Sequence, residues 1–348
     1  MPIDDTSAEE SAAGHWRRRR LLAALAAVPL AAGAGRAFGQ ETQFFRIGTG
    51  SVSGTYYPIG GLIADIISSP PGSRPCDRGG NCGVPGLVAI AQTSDGSLAN
   101  IEAMLRGDHE SGFAQSDIAY RAFVGEGPFT GRPVSNLRAL ANLYQESLHL
   151  VTHPAAGIAG VRDLVGKRVS LDRPLSGTRT DAGLVLRAFG VSEDQLIIED
   201  VGPTDAIDLM KAGELDAFFL VAGPPTAGIT ELAEDLGAGL VPIAGPEVSA
   251  LIRDYPFFTY DLIPFGTYKG IPAVETISVG AQWLATAALE DELGYEIMRS
   301  FWRPEAREIL DAGHPKGRDI TIETALAGVA VPLHPGAERF YREAGLVP

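Results

Sequence analysis

The chain has 348 residues, 28 of them Lys or Arg and 43 Asp or Glu, giving a formal net charge of −15. Its 45% hydrophobic and 20% charged residues lie in the globular range and exclude a disordered or collagen-like chain. The acidic balance also argues against a nucleic-acid partner, because neutralising phosphates takes a basic face. The length suits about two domains, each with its own core.

Arg17 to Arg20 precede an apolar run from Leu21 to Ala34, and Ala37 and Gly39 supply small residues at the −3 and −1 positions. That pattern predicts a signal peptide over residues 1–39. The run falls short of the roughly 20 residues needed to span a bilayer, so an uncleaved anchor is the lesser alternative. The arginine cluster ahead of Leu21 and Leu22 suggests the twin-arginine route. Cleavage near Gly39 would leave a soluble protein in the periplasm.

The chain has two cysteines, Cys76 and Cys82, in the glycine-rich loop RPCDRGGNCG. They are too few for a zinc site, and no histidine lies near in sequence. A disulfide is expected in an oxidising compartment, contributing roughly 2 kcal/mol through loop closure. No metal or cofactor is expected.

Phe44 to Gly50 reads as a strand, followed by a loop and a helix over Pro58 to Ile67 with proline in its first turn. Val84 to Gln92 is expected as a strand broken by Pro85 and Gly86, and Ser97 to Leu105 as a helix capped by Ser97. Ser111 to Gln115 reads as a strand and Ile118 to Phe123 as a helix. Such alternation predicts an α/β fold with a parallel sheet and ligands at the carboxyl ends of its strands.

Leu137 to Thr152 reads as two strand-like stretches crossing to a second lobe. There, strands at Lys167–Leu171, Leu196–Asp200 and Asp216–Val221 alternate with helices at Thr180–Phe189, Asp205–Ala212 and Ile229–Leu236. The three helices are closed by Gly190, Gly213 and Gly237. Thr276 to Thr286 crosses back, and helices from Leu289 onward belong on the first lobe. Residues 40–138 with 275–348 then make lobe I, and 139–274 lobe II. A sheet interrupted by another and resumed is the architecture of a two-lobed binding protein with its ligand in the cleft.

The loop GTGSVSGTYY follows a strand and opens a helix. Gly50, Ser51, Gly54, Thr55, Tyr56 and Tyr57 there offer amides and hydroxyls suited to a carboxylate. Its glycines nearly spell a dinucleotide fingerprint, but the last spacing is one residue too long and no strand-end acid follows. Gly160 to Lys167 fails as a phosphate loop, since it precedes a strand and has Arg168 where Ser or Thr must hold magnesium. Val52 occupies the centre of a would-be nucleophile elbow. His149 and His153 lack a third ligand and read as packing residues. No catalytic set emerges.

Three more loops fall at expected strand ends. Thr93 to Asn100 carries Ser97 and Asn100. Leu175 to Thr180 carries Ser176, Gly177, Thr178 and the guanidinium of Arg179, suited to a bidentate carboxylate contact. Gly223 to Thr226 carries Pro225 and Thr226. Converging on one cleft, they favour a small polar carboxylate.

The run IGTGSVSGTYYPIGGLIADII resembles the opening of the TAXI solute receptors of TRAP transporters. The resemblance continues through TSDGSLANIEAML, FAQSDIAYRAF, LYQESLHLVT, DLVGKRVSL, LSGTRTDAGLVLRAFG, ELDAFFLVAGPPTAGI and ETISVGAQWLAT, covering nearly all of the mature chain. It implies a type II periplasmic binding-protein fold with clamshell closure. It also implies delivery of glutamate, 2-oxoglutarate or a related carboxylate to an ion-driven TRAP permease, and a monomer is expected. By position it adds Gln115, Ser116 and, near the crossing, Tyr144 and Glu146 to the cleft. A periplasmic ligand sensor for a signalling partner is the alternative function, and an exported enzyme on the same scaffold a weaker one.

Overall fold

A computed structural model describes residues 42–348, so the expected signal peptide lies outside the described residues. The chain begins with β1 (Gln43–Gly48), α1 (Tyr56–Ile67), β2 (Ser68–Ser69), β3 (Val84–Pro85), β4 (Leu87–Gln92), α2 (Ser97–Arg106), β5 (Ser111–Gln115) and α3 (Ser116–Val124). A long strand, β6 (Leu137–Thr152), leads into β7 (Arg168–Ser170), α4 (Gly177–Ala188), β8 (Ile197–Glu199), α5 (Pro203–Lys211), β9 (Ala217–Ala222) and α6 (Ala227–Asp235). Next come β10 (Gly239–Leu240), α7 (Pro246–Asp254), β11 (Thr259–Ile263) and a second long strand, β12 (Val274–Thr286). Helices α8 (Asp291–Phe301), α9 (Pro304–Gly313) and α10 (Pro335–Glu343) complete it.

The main sheet runs β4-β1-β5-β12-β6-β9-β7-β8, with β10 beside β6 and β11 beside β12. The outer strands pair in parallel, β1 with β4 and β5, and β7 with β8 and β9. The wholly parallel sheet expected from the alternation is corrected in the middle. There β12 runs antiparallel to β5 and to β6, and β6 antiparallel to β9. These pairs join strands far apart in the chain, with several strands and helices between β6 and β12, so no single strand-helix-strand crossover sets their direction. The stretch expected as two crossing pieces is one 16-residue strand, β6. Its early residues pair with β12 and its last six, Ser147 to Thr152, with β9.

Alternation along the strands builds a core on each face of the sheet. In β9, Ala217, Phe219 and Val221 join a cluster with Val169 and Val185, whereas Phe218, Leu220 and Ala222 join one with Ile207 and Ile229. At the other end, Phe113 of β5 packs with α1 and α8, and its neighbour Ala114 with α2 and α3. A strand covered on both faces must be apolar throughout, as AFFLVA is. Gly190, Gly213 and Gly237 do close their helices, at φ of 73°, 72° and 70°. Cys76 and Cys82 form the expected disulfide, with Cα atoms 4.6 Å apart.

One cap is corrected. Gly96, not Ser97, is the N-cap of α2, with φ 106°; Ser97 is the first helical residue, and its hydroxyl accepts from Gln115 N–H at 3.1 Å.

Candidate functional site

The first turns of four helices meet at a cavity of about 490 Å³. Tyr56 of α1 and Ser97 of α2 come from the N-terminal part of the chain, and Gly177 of α4 and Thr204 of α5 from the middle part. Each helix start carries partial positive charge on backbone N–H groups, so the cavity has an anion-favouring lining without a free cation. Leu220, Val221 and Ala222 at the end of β9 supply an apolar wall.

Local bonds set these loops. Asn100 donates from Nδ2 to Thr49 O at 2.7 Å and Phe113 O at 2.8 Å, and accepts from Ser94 Oγ at 2.7 Å. It therefore fastens the α1 and α2 loops to β5. Ser176 caps α4 by accepting from Arg179 N–H at 3.0 Å. Gly177 approaches so closely that a Cβ there would lie 1.8 Å from Gln115 Oε1 and 2.8 Å from Ser97 Oγ. Only glycine fits that approach.

Further contacts tie the two parts together over the cavity. The Thr204 hydroxyl stands 2.9 Å from those of both Ser51 and Ser53. Thr55 donates to Gly223 O at 2.6 Å, and Ala99 N–H to Leu175 O at 3.1 Å. Arg173 reaches Asp95 Oδ1 at 3.3 Å and Asp205 Oδ2 at 2.9 Å, a half-exposed bridge at the mouth.

Two acids in the lining are buried. Glu146 of β6 accepts from Tyr56 Oη at 2.9 Å through Oε2, while its Oε1 has no partner. Burial raises its pKa well above the ordinary carboxylate value, which favours the neutral acid. Asp172 accepts from Arg173 N–H at 2.7 Å and adopts φ 76°. Burial pushes its pKa up to about 7. Gln115 is likewise buried, with Oε1 unpartnered. The site thus offers amide and hydroxyl donors to an anion, beside unpaired buried oxygens.

Of the sequence-predicted residues, the structure brings Gly50, Ser51, Gly54, Thr55, Tyr56, Ser97, Gln115, Ser176, Gly177 and Thr178 to this cavity. Seven lie elsewhere. Arg179 turns away: its guanidinium is held by Glu193 at 2.7 Å, because that helical position faces outward from the cavity. Asn100 is a fastener behind the wall, and Tyr57 points outward, partly exposed. The Ser116 hydroxyl accepts from Gly280 N–H at 3.3 Å, and the Tyr144 ring packs behind Gly223. Pro225 lines a separate recess near Gln145 and Lys316. Thr226 is used up as the cap of α6.

Sequence reasoning missed Asp172, Arg173, Thr204 and Asp205. The run Asp172-Arg173-Pro174 directly after a short strand was the available signal for the first two. Thr204-Asp205 after Gly202-Pro203 was the signal for the others. His149 is a packing residue: its Nε2 meets Tyr268 Oη at 3.0 Å, and its Nδ1 faces Ser147 O at 2.9 Å.

Several solved structures share the fold. PhnD1 from Prochlorococcus marinus (MIT 9301), in complex with methylphosphonate, is 12% identical over 87% of this chain and 99% of that one, with a TM-score of 0.50. A protein of Bordetella bronchiseptica RB50 is 14% identical over 88% and 90%, with a TM-score of 0.50. The alkanesulfonate-binding protein SsuA from Xanthomonas axonopodis pv. citri, bound to MOPS, is 17% identical over 87% and 84%, at 0.48. The architecture is the type II periplasmic binding-protein fold. A family model matches residues 47–345, nearly the whole described chain, and the protein belongs to the NMT1-like family.

Proposed function

We propose that the protein is an exported solute receptor of a transporter, a binding protein and not an enzyme. Residues 1–39 direct it to the periplasm. Lobe I (40–138 with 275–348) and lobe II (139–274) close as a monomer over a small anion, which we take to be a carboxylate. The observation that carries this is the meeting of four helix N-termini, two from each lobe, around one cavity. A net charge of −15 gives no long-range attraction to an anion, so local amides and hydroxyls supply the affinity. Ser51, Thr55, Ser97, Ser176 and Thr178 are the proposed contacts, and Arg173 bridges Asp95 and Asp205 at the mouth. The resemblance to the TAXI receptors supplies the partner, a TRAP permease driven by an ion gradient.

The test is a thermal-shift panel on protein unfolded and refolded to strip ligand. Glutamate, 2-oxoglutarate, succinate, methylphosphonate and a neutral sugar are compared. A ligand at about 100 times its Kd adds roughly 2.7 kcal/mol. A shift with a carboxylate is expected. A shift with methylphosphonate alone would keep the anion site but replace the carboxylate, and a shift with sugar alone would overturn the anion.

A further inference from the structure

The lining of the cavity divides by chemistry. Hydroxyls and helix-start amides supply donors around Ser51, Thr55, Ser97, Ser176 and Thr178. The charged residues of the lining are Asp95, Glu146, Asp172 and Asp205 against Arg173 alone. Arg173 is already held by Asp95 and Asp205 at the mouth. That leaves Glu146 and Asp172, 1% and 6% exposed, with no cation at ion-pair distance among the described residues.

Glu146 reaches the cavity from β6. Its Oε2 accepts from Tyr56 Oη at 2.9 Å, and its Oε1 has no partner. Gln115, the last residue of β5 and 3% exposed, lines the same cavity, and its Oε1 is unpartnered too. A buried acceptor without a donor costs free energy that a donor on the ligand recovers. A ligand that is only an anion brings acceptors, so it satisfies the helix starts and leaves Glu146 and Gln115 as they are. It also places its charge in one cavity with uncompensated carboxyls. A ligand with an ammonium group beside its anion satisfies both sets. Burial lets Glu146 keep a proton when no cation is near, and an ammonium takes that proton's place and lets the carboxylate form.

We propose that the cavity selects a zwitterion: Glu146, with Gln115 Oε1 beside it, holds the ammonium end, and the helix starts hold the anionic end. Glu146 is then the specificity-determining residue of the site. This rests on the anion-receptor reading above and narrows its ligand. Amino carboxylates, amino sulfonates and amino phosphonates share the required chemistry. An acid of the same shape with a carbonyl or a hydrogen in place of the ammonium lacks it.

The experiment is titration calorimetry of matched pairs on protein unfolded and refolded to strip ligand. The pairs are L-glutamate with 2-oxoglutarate, L-alanine with pyruvate, taurine with ethanesulfonate, and aminomethylphosphonate with methylphosphonate. In the pair that fits the cavity, the ammonium member should bind at least about tenfold more tightly, the worth of a charge-assisted hydrogen bond. Glu146→Gln keeps the shape and removes the charge. It should bring the two members of that pair within about threefold, by weakening the ammonium member. Circular dichroism checks the fold of the variant, and the wild-type comparison stands without it. A smaller ratio in every pair that binds, or tighter binding of the amine-free member, overturns the zwitterion and leaves the anion receptor standing. A preference that survives Glu146→Gln overturns Glu146 as its source. If no member of any pair binds, both readings fall.

Discussion

The cavity and its surroundings hold acids in two settings. At the mouth, Asp95 and Asp205 flank Arg173, all three partly exposed, leaving one negative charge in excess. Deeper in, Asp117, Asp181, Glu146 and Asp172 are buried and have no cation at ion-pair distance except Arg121. Solvent screens the first group, so its bridges add little energy. The second group is buried, and burial raises the pKa of each of its members. The same side-chain chemistry thus gives a salt-sensitive latch in one place and a pH-sensitive floor in the other.

The contrast is sharpest at Asp172. Its pKa is raised to about 7 in the folded protein, against about 3.9 unfolded, so its contribution is fully present below pH 4 and is lost as pH rises through 7. Asp172→Asn, which also tolerates the left-handed backbone, should stabilise the protein by about 2–4 kcal/mol at pH 8 and leave it unchanged at pH 4. Urea unfolding at both pH values measures this.

His149 tests buried titration with the opposite sign. Burial lowers its pKa to about 4, against about 6.5 unfolded, so stability is retained above pH 6.5 and declines as pH falls toward 4. The loss should approach about 3 kcal/mol, and His149→Gln should flatten that acid limb. Denaturation midpoints from pH 7 to 4 decide the matter.

Next in size is Gly177→Ala. Its new Cβ would collide with Gln115 and push α4 away from it, at about 1–3 kcal/mol. Titration calorimetry with the anion found by the thermal panel should show affinity weakened roughly 10- to 100-fold, with circular dichroism unchanged. Affinity within twofold of wild type would mean that the bound form does not need this approach. The smallest effect belongs to the latch. Arg173→Ala should cost less than about 1 kcal/mol in affinity and reduce its dependence on salt, read by the same titration at low and high ionic strength.

These buried acids mark the limit of what the sequence discloses. Strand-helix alternation and the glycines at 190, 213 and 237 make most elements readable, because caps and periodicity are local. The antiparallel pairing of β6 and β12 depends on partners more than a hundred residues apart, and no local pattern encodes it. In the site, the loops around Gly50–Tyr56 and Ser176–Thr178 announce themselves by glycine and hydroxyl content at helix starts. Arg179 misled because charge says nothing about which way a helical side chain points. Arg173, six residues earlier, reaches the cavity from a turn that carries no motif. Asp117 and Asp181 read as ordinary helix residues, and only folding buries them.

One feature of the topology has a consequence for building with this chain. The strands β6 and β12 run side by side, with Ser147 opposite Ser278. The polypeptide thus enters and leaves the segment 148–277 through adjacent doors. That segment is accordingly an insert whose two ends already touch. A relative's matching segment, cut at these paired serines, should graft into this chain without a new linker, giving a hybrid with that half of the cavity exchanged.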